Sequence, residues 1–537
     1  MLEMRQATLK DTAAWDAVSV ALPAFDRLAV AAQTKETPTW VHFGAGNIFR
    51  GFIAVAQQRL LNAGLANTGI IAADTFDYDI IHKIYTPFDN LTMMVTLNAD
   101  GSTSREIVGS VVESLCADSS DAAAMARFTE IFTAPSLQML SFTITEKGYA
   151  LTRPDGSYMP VVEADMAEGP TKARHAMSMV AALLFARFNA GAIPLAVVSM
   201  DNCSHNGDKL KSSVLAVANA WAANNFVGAD FIAYLNDESK ITFPWTMIDK
   251  ITPRPHQMVQ DTLAADQIAE MAPIVTSKNT FIAPFVNAER PQYLVIEDKF
   301  PNGRPPLEEA GMYLTDRDTV NNTERMKVTT CLNPLHTAMS IYGCLLNYTL
   351  ICDEMKDKDL VALVKRLGYI EGLPVVVDPK IIDPKAFIDE VVEQRLPNPF
   401  MPDDPRRIAT DTSQKVGIRF GETVKSYLAE GRDLDTLVVL PLAIAGWLRY
   451  LLAVGDDGNA IEVSSDPLLE ELQAQLSGIE VGNPASYTGQ IKKILANESI
   501  FGVDYTANAL GAKIEGMFVE LLAGKGAVRA TLQKYLG

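Results

Sequence analysis

The sequence predicts an α/β chain in two parts, a βα-rich stretch over residues 1–290 and a mainly helical stretch over 291–537. Three observations predict it. Short runs rich in β-branched and aromatic residues at 39–43, 68–73, 137–144 and 195–200 alternate with helically patterned segments, as βα units around a parallel sheet do. The first of these runs passes directly into Gly44-Ala45-Gly46. From about Gln292 the texture changes. After a β-like run at 293–296, helical spacing dominates, with helices expected at 334–352, 384–394, 412–430, 436–453, 467–476 and 507–523.

At 537 residues the chain exceeds what one hydrophobic core serves. Its composition, 48% apolar and 21% charged, is that of a globular protein. The formal charge of −19 argues against nucleic acid as a partner, since phosphate binding needs a basic surface. An anionic small substrate would need a basic pocket within an acidic shell. The five cysteines, Cys116, Cys203, Cys331, Cys344 and Cys352, are scattered and contain no Cys-x-x-Cys pair, so reduced thiols in a cytoplasmic protein are expected. The N-terminus lacks the apolar core of a signal peptide. The most hydrophobic run, 437–454, is interrupted by Pro441 and Arg449 and is read as a buried core helix.

In chain order, 1–38 form a polar lead-in. A strand at 39–43, a Gly-x-Gly turn and helical spacing over 53–63 make the opening of a dinucleotide-binding unit. The glycines let backbone approach a pyrophosphate, and the helix start offers it unpaired N–H groups. The third glycine, Gly51, is irregularly placed, so the motif alone is weak. The second strand ends at Asp74, positioned to accept from ribose hydroxyls and to repel a 2′-phosphate, which favours NAD over NADP. A helix cap is the alternative for Asp74, and Asp77 or Asp79 the alternative ribose acids. A hairpin is expected around Asn98-Ala99-Asp100-Gly101. The run at 195–200 leads into Asp201-Asn202-Cys203-Ser204-His205, and 243–253 form a second polar loop. Groups beyond the carboxyl ends of such strands are site candidates. Glu324 to His336 then place a lysine, an asparagine and a histidine in a mostly apolar segment, where charged groups are costly unless paired or used.

Six ordered blocks carry a resemblance: Val41-His42-Phe43-Gly44-Ala45-Gly46-Asn47-Ile48-Phe49-Arg50; Thr143-Ile144-Thr145-Glu146-Lys147-Gly148-Tyr149; Ser199-Met200-Asp201-Asn202; Met247-Ile248-Asp249-Lys250-Ile251-Thr252-Pro253; Ile296-Glu297-Asp298-Lys299-Phe300 with Gly303-Arg304-Pro305-Pro306; and Lys327 with Leu332-Asn333-Pro334-Leu335-His336. With them the sequence resembles the mannitol dehydrogenase family of polyol-specific long-chain dehydrogenases, from about residue 39 to at least 455.

The resemblance implies a Rossmann-type domain followed by a mostly α-helical substrate domain, and NAD-dependent, metal-free interconversion of a secondary alcohol and a ketone. It assigns cofactor binding to Gly44, Ala45, Gly46, Asn47, Ile48, Phe49, Arg50, Asp74, Thr145, Glu146 and Asn202. Lys327 matches the family's general acid/base, Asn202 and Asn333 the amides that hold the carbonyl oxygen, His336 the substrate-orienting histidine, and Glu324 the acid before the lysine. Amide N–H groups aimed at a developing alkoxide are oxyanion stabilisers. Asp249, Arg407 and Lys415 match substrate residues, with Arg406 a competitor for Arg407. The version Thr329-Thr330-Cys331-Leu332-Asn333-Pro334-Leu335-His336 is most similar to the hexuronate-reducing branch, which implies D-mannonate and D-fructuronate as the substrate pair. Mannitol and altronate are the alternatives within the family, and an NAD-binding regulator is the alternative outside catalysis. The expected partners are a small sugar acid or polyol, with a monomer or small homo-oligomer as the assembly.

Two departures matter. Ile48-Phe49-Arg50-Gly51-Phe52 lacks the histidines of the family's first block. Lys327 is also separated from Asn333 by five residues where the family has four. In a straight helix, at about 100° per residue, Lys327 and His336 would face opposite ways. Irregular backbone between Lys327 and Pro334 is therefore expected, by a π-bulge or at Pro334.

Overall fold

A computed structural model describes all 537 residues. They form two compact units: Met1–Leu97 with Ser102–Asn321, and Asn98–Gly101 with Asn322–Gly537.

The first unit is built on six parallel strands, β1 (Trp40–Phe43), β2 (Ile70–Asp74), β3 (Val111–Cys116), β4 (Met139–Phe142), β5 (Leu195–Ser199) and β6 (Ile241–Thr242). Their order across the sheet is β3-β2-β1-β4-β5-β6, the doubly wound dinucleotide-binding arrangement with its reversal between β1 and β4. Both faces are covered, which explains why the strands read as continuous apolar runs. Val41, Phe43, Ile71, Ala73, Leu140 and Phe142 enter one core, and Trp40, Ile70, Ala72 and Met139 enter the other. Arg187, wholly buried, ties the unit together by donating to the carbonyls of Phe132, Ala134, Leu137, Ile193 and Pro194.

The expected hairpin is present as Thr92–Leu97 paired with Thr103–Val108, in a four-stranded sheet that also holds Phe285–Glu289. Tyr293–Glu297 pairs with Thr246–Asp249 and with Tyr313–Thr315. That three-stranded sheet carries the first unit to Asn321, past the boundary at 290 read from the sequence.

The second unit is helical. The helix Val439–Tyr450 is buried at every residue, and no helix of the protein is long and apolar enough to cross a membrane. Its start is capped by Glu371, which accepts from the N–H groups of Val438 (2.9 Å), Val439 (2.8 Å) and Leu440 (2.9 Å). The helix expected from residue 384 begins there, with the Asp383 carboxylate accepting from Ala386 N and Pro384 in the first turn. Two expected helices are broken. The one at 334–352 stops at Leu345, where Asn347 takes a left-handed conformation (φ 63°). The segment 412–430 divides into a 3₁₀ turn (Thr412–Gln414), a π-helical turn (Gly417–Gly421) and an α-helix (Glu422–Ala429). There Gly417 and Gly421 lie against the backbone of Ile500 and Phe501, an approach that a Cβ would block.

Candidate active site

In the first unit the candidate site lies at the carboxyl ends of β1, β2, β4 and β5. Gly44 leaves β1 with φ 103°, and a Cβ there would stand 2.2 Å from the Thr143 carbonyl oxygen, so only glycine fits. Gly46 has open space where its Cβ would be, and the helix begins at Asn47. A close-approach glycine, an open side and a helix start at the sheet's reversal point together fit a pyrophosphate. Gly51, irregular by spacing, sits on a π-helical turn (Phe49–Ile53), where an added Cβ would be 2.8 Å from Val286. It serves close packing.

The side chains of Phe49 and Arg50 turn inward. Phe49 stacks on His42 at 4.1 Å, and Arg50 donates to the Ala283 carbonyl (2.8 Å) and the Asn47 amide oxygen (2.7 Å). His42 was not foreseen. It bonds to Ser141 Oγ (2.7 Å) and Thr143 Oγ1 (2.9 Å), and Thr143 donates to the Gly44 carbonyl (3.1 Å). Burial pushes the imidazole down to about 3, so the link from β1 through β4 to the glycine loop is neutral.

Asp74 is buried and accepts from Ala45 N (3.2 Å), Phe76 N (2.8 Å) and Asp77 N (2.7 Å). Burial raises its pKa, and these bonds oppose the rise. The ribose candidate is thus also the peg that holds the glycine loop to the end of β2. Of its sequence competitors, Asp77 accepts from Thr276 and Asp79 from Ser277 N.

Asp201 was likewise missed as a positioning group. Its carboxylate accepts from Ile144 N (2.8 Å), Thr145 N (3.0 Å) and the Tyr149 hydroxyl (2.5 Å). It thereby holds Thr145 at φ 66° and leaves the next residue, Asn202, exposed beyond β5. Asn206 bonds to the Asp201 carbonyl (3.0 Å) and to Thr246 (3.0 Å), joining this loop to the strand that ends in the buried Asp249. Glu146 is turned away, ion-paired with Lys209 at the surface.

In the second unit Lys327 is buried. The α-helix Arg317–Met326, which carries Glu324, gives way at Lys327 to a π-helical turn, Lys327–Cys331, closed by Leu332 N to the Lys327 carbonyl (3.1 Å). Leu332 (φ −131°, ψ −63°) then breaks the backbone before the helix Asn333–Leu345. The expected irregularity is there. One residue taken up by a π turn changes the relative facing of Lys327 and His336 by about 100°, from opposed to roughly a quarter turn apart.

His336 Nε2 is buried without a hydrogen-bond partner, 3.6 Å from Asp403 Oδ2. Burial, then the charges of Arg419, Arg407 and Arg395 against the opposing pull of Asp403, bring the imidazole to about 4. Arg407 is mostly exposed and ion-paired with Asp403, and Arg406 pairs with Asp404. Lys415 Nζ donates to the carbonyls of Ile408 and Thr410. Burial, then Arg419, lowers its pKa. Arg419 lies on the π turn Gly417–Gly421 and donates to the Thr337 hydroxyl; its isolated place in a polar stretch gave no sequence signal.

A doubly wound nucleotide fold, a glycine loop at its reversal point and a helical unit bearing a buried lysine define the class, a two-part dinucleotide-binding protein. Residues 38–309 match the mannitol dehydrogenase Rossmann domain and residues 319–519 the mannitol dehydrogenase C-terminal domain. The chain belongs to the mannitol dehydrogenase family. It is 50% identical to a D-mannonate oxidoreductase of Thermotoga maritima over 100% of this chain and 99% of that protein. Among solved structures it is similar to a D-sorbitol dehydrogenase in substrate-free form (TM-score 0.81, 24% identity, 99% of this chain and 100% of that one). It is also similar to the mannitol 2-dehydrogenase of Pseudomonas fluorescens in complex with NAD and D-mannitol (TM-score 0.68, 25% identity, 99% of each chain).

Proposed function

We propose that this protein is an NAD-dependent sugar-acid oxidoreductase that interconverts D-mannonate and D-fructuronate. The reaction class, oxidation of a CH–OH group, follows from the family, and the choice of a sugar acid rests on the full-length 50% identity to a D-mannonate oxidoreductase. NAD, when bound, accepts or returns the hydride. Gly44, Ala45, Gly46, Asn47 and Ile48 would hold its pyrophosphate through backbone, with Phe49 and Arg50 fixing the first helical turn, and Asp74 would hold the ribose. Thr145 and Glu146 complete the cofactor-binding set inferred from the family.

Lys327 takes the proton from the alcohol oxygen and returns it to the ketone. Asn333 and Asn202 donate to that oxygen as charge develops on it. His336 orients the substrate hydroxyls, and Glu324 stands one helical turn before the lysine. Asp249, Arg407 and Lys415 contact the substrate further from the reacting carbon. The buried surroundings of Lys327 support its part, because burial strengthens each electrostatic contact made to the reacting oxygen. The five free cysteines fit a cytoplasmic setting, and the charge of −19 fits a partner that is a small molecule and not a nucleic acid. A monomer or small homo-oligomer is the proposed assembly.

The test follows NADH absorbance with D-mannonate, D-altronate and D-mannitol, each with NAD⁺. D-Mannonate should have the highest kcat/KM. Faster turnover of D-mannitol would overturn the sugar-acid assignment, and NAD binding without turnover of any of the three would favour a regulator.

A further inference from the structure

The buried arginines of this protein donate mainly to backbone, although Arg50 Nε and Arg449 Nη2 are left without an acceptor. Arg187 donates to five carbonyls, Arg27 to Gly109, Asp89 and Val111, and Arg449 to Leu521 and Val454. Arg50 also has two acceptors, the Ala283 carbonyl and Asn47. Arg419 differs. It is half-buried, which lowers its pKa to about 10, and it takes part in no ion pair and makes a single hydrogen bond, to the Thr337 hydroxyl. A guanidinium has five N–H donors in a planar fork, and none of those of Arg419 is a buried orphan, so the donors left over from Thr337 are open to solvent and to a ligand. The neighbour of Thr337 is His336, whose Nε2 is buried and unsatisfied. Arg395 and Arg407 add positive charge around that imidazole, and Asp403 is the acid that offsets it.

The residues that sequence matching offered for an anionic substrate are engaged elsewhere in the second unit. Arg407 is ion-paired to Asp403, and the Lys415 ammonium is bonded to two carbonyls. The open donors belong to Arg419. A carboxylate accepts two parallel N–H bonds from such a fork, with more geometric selectivity than an ammonium provides.

We propose that Arg419 is a specificity-determining residue that receives the carboxylate of a sugar-acid substrate beside His336, and so separates sugar acids from uncharged polyols. This inference rests on the sugar-acid reading above.

The test uses the full chain. D-Mannonate and D-mannitol are titrated into the NADH-loaded protein by calorimetry, where no turnover can occur, and kinetics with NAD⁺ are measured in parallel for the native chain, Arg419→Gln and Arg419→Lys. For Arg419→Gln, D-mannonate affinity should fall about 50-fold, carried by KM more than kcat, the loss of a charge-assisted bidentate contact. D-Mannitol and NADH affinities should stay put. Arg419→Lys should recover part of the loss, and it carries the test alone if the glutamine variant does not fold. Unchanged D-mannonate binding in either variant overturns the proposal and leaves the function standing. Equal losses for D-mannonate and D-mannitol also overturn it, since they would mark a purely structural role. Arg419-dependent D-mannonate binding to a chain that never oxidises it would sustain the anion site and remove the proposed reaction.

Discussion

The glycine loop of the first unit and the Lys327–His336 segment of the second each bring a helix start to a candidate site, by opposite means. The loop works through backbone. Gly44 has no Cβ because Thr143 O occupies the space, Gly46 leaves its side open, and Asp74, His42 and Thr143 hold the main chain in place. The Lys327 segment works through side chains, and a π turn followed by the break at Leu332 sets which way they face. Both segments have π-helical backbone, at Phe49–Ile53 and Lys327–Cys331. In the first it brings Gly51 against Val286 for packing; in the second it carries the lysine itself. A site built from backbone should fail through shape, and one built from side chains through chemistry.

The largest expected effect separates the two. Lys327→Ala should lower kcat by about 10³-fold, within the range for a lost general acid/base, while NADH affinity measured by fluorescence stays within a factor of two or so. If cofactor affinity fell in step with turnover, the division between the segments would break.

Gly44→Ala is the converse. Forcing a side chain into a φ of 103° against Thr143 O should destabilise the protein by about 3 kcal/mol and abolish measurable NADH binding. Thermal unfolding and the same fluorescence titration read both effects. An alanine variant that bound NADH normally would show that the loop has more freedom than its geometry allows.

A pH series sharpens the comparison further. His42 is held at about 3 when folded, against an ordinary 6.5, so below pH 6.5 the unfolded chain takes a proton that the folded chain refuses. Its contribution to stability is complete above 6.5 and is lost as pH falls from 6.5 toward 3. Replacing His42 by Asn should flatten that acid limb of the Tm profile.

The smallest effect concerns the support of the second segment. Glu354 is fully buried against Gly343 of the helix Asn333–Leu345, with both carboxyl oxygens unpartnered; burial, then Asp357 and Asp404, raises it to about 9. The folded chain therefore keeps a proton that the unfolded chain gives up above 4.5, and stability falls as pH rises from 4.5 through about 9. Glu354→Gln should gain about 1 kcal/mol or more over the native chain at pH 9 relative to pH 5, seen as a Tm difference.

How far the sequence could be read follows the same division. The parallel strands were legible because a sheet covered on both faces needs uninterrupted apolar runs, as at Trp40–Phe43 and Leu195–Ser199. Gly44 was legible because few conformations demand glycine. The extra residue between Lys327 and Asn333 announced a backbone irregularity, though not its form. What escaped reading were single polar residues whose meaning lies in distant partners. Asp201 was seen only as a loop residue and His42 as part of a strand, and Arg419 drew no reading at all. Their spacing carries no period, and each becomes intelligible only when Ile144, Thr143 or Thr337 is brought to it. The helix expected over 412–430 failed for a related reason, since Gly417 and Gly421 answer to Ile500 and Phe501 some eighty residues away.

Asp74 bears on attempts to retune the coenzyme. Trading this acid for a small neutral residue is the obvious first move toward acceptance of a phosphorylated ribose. Here that exchange would also release Ala45, Phe76 and Asp77, whose N–H groups all converge on the carboxylate. A designer would need to supply new acceptors for those three amides before asking the loop to welcome extra negative charge. On the proposed ribose role of Asp74, cofactor preference and loop order depend on one carboxylate, and single-site libraries at residue 74 should yield poorly folded proteins more often than altered selectivity.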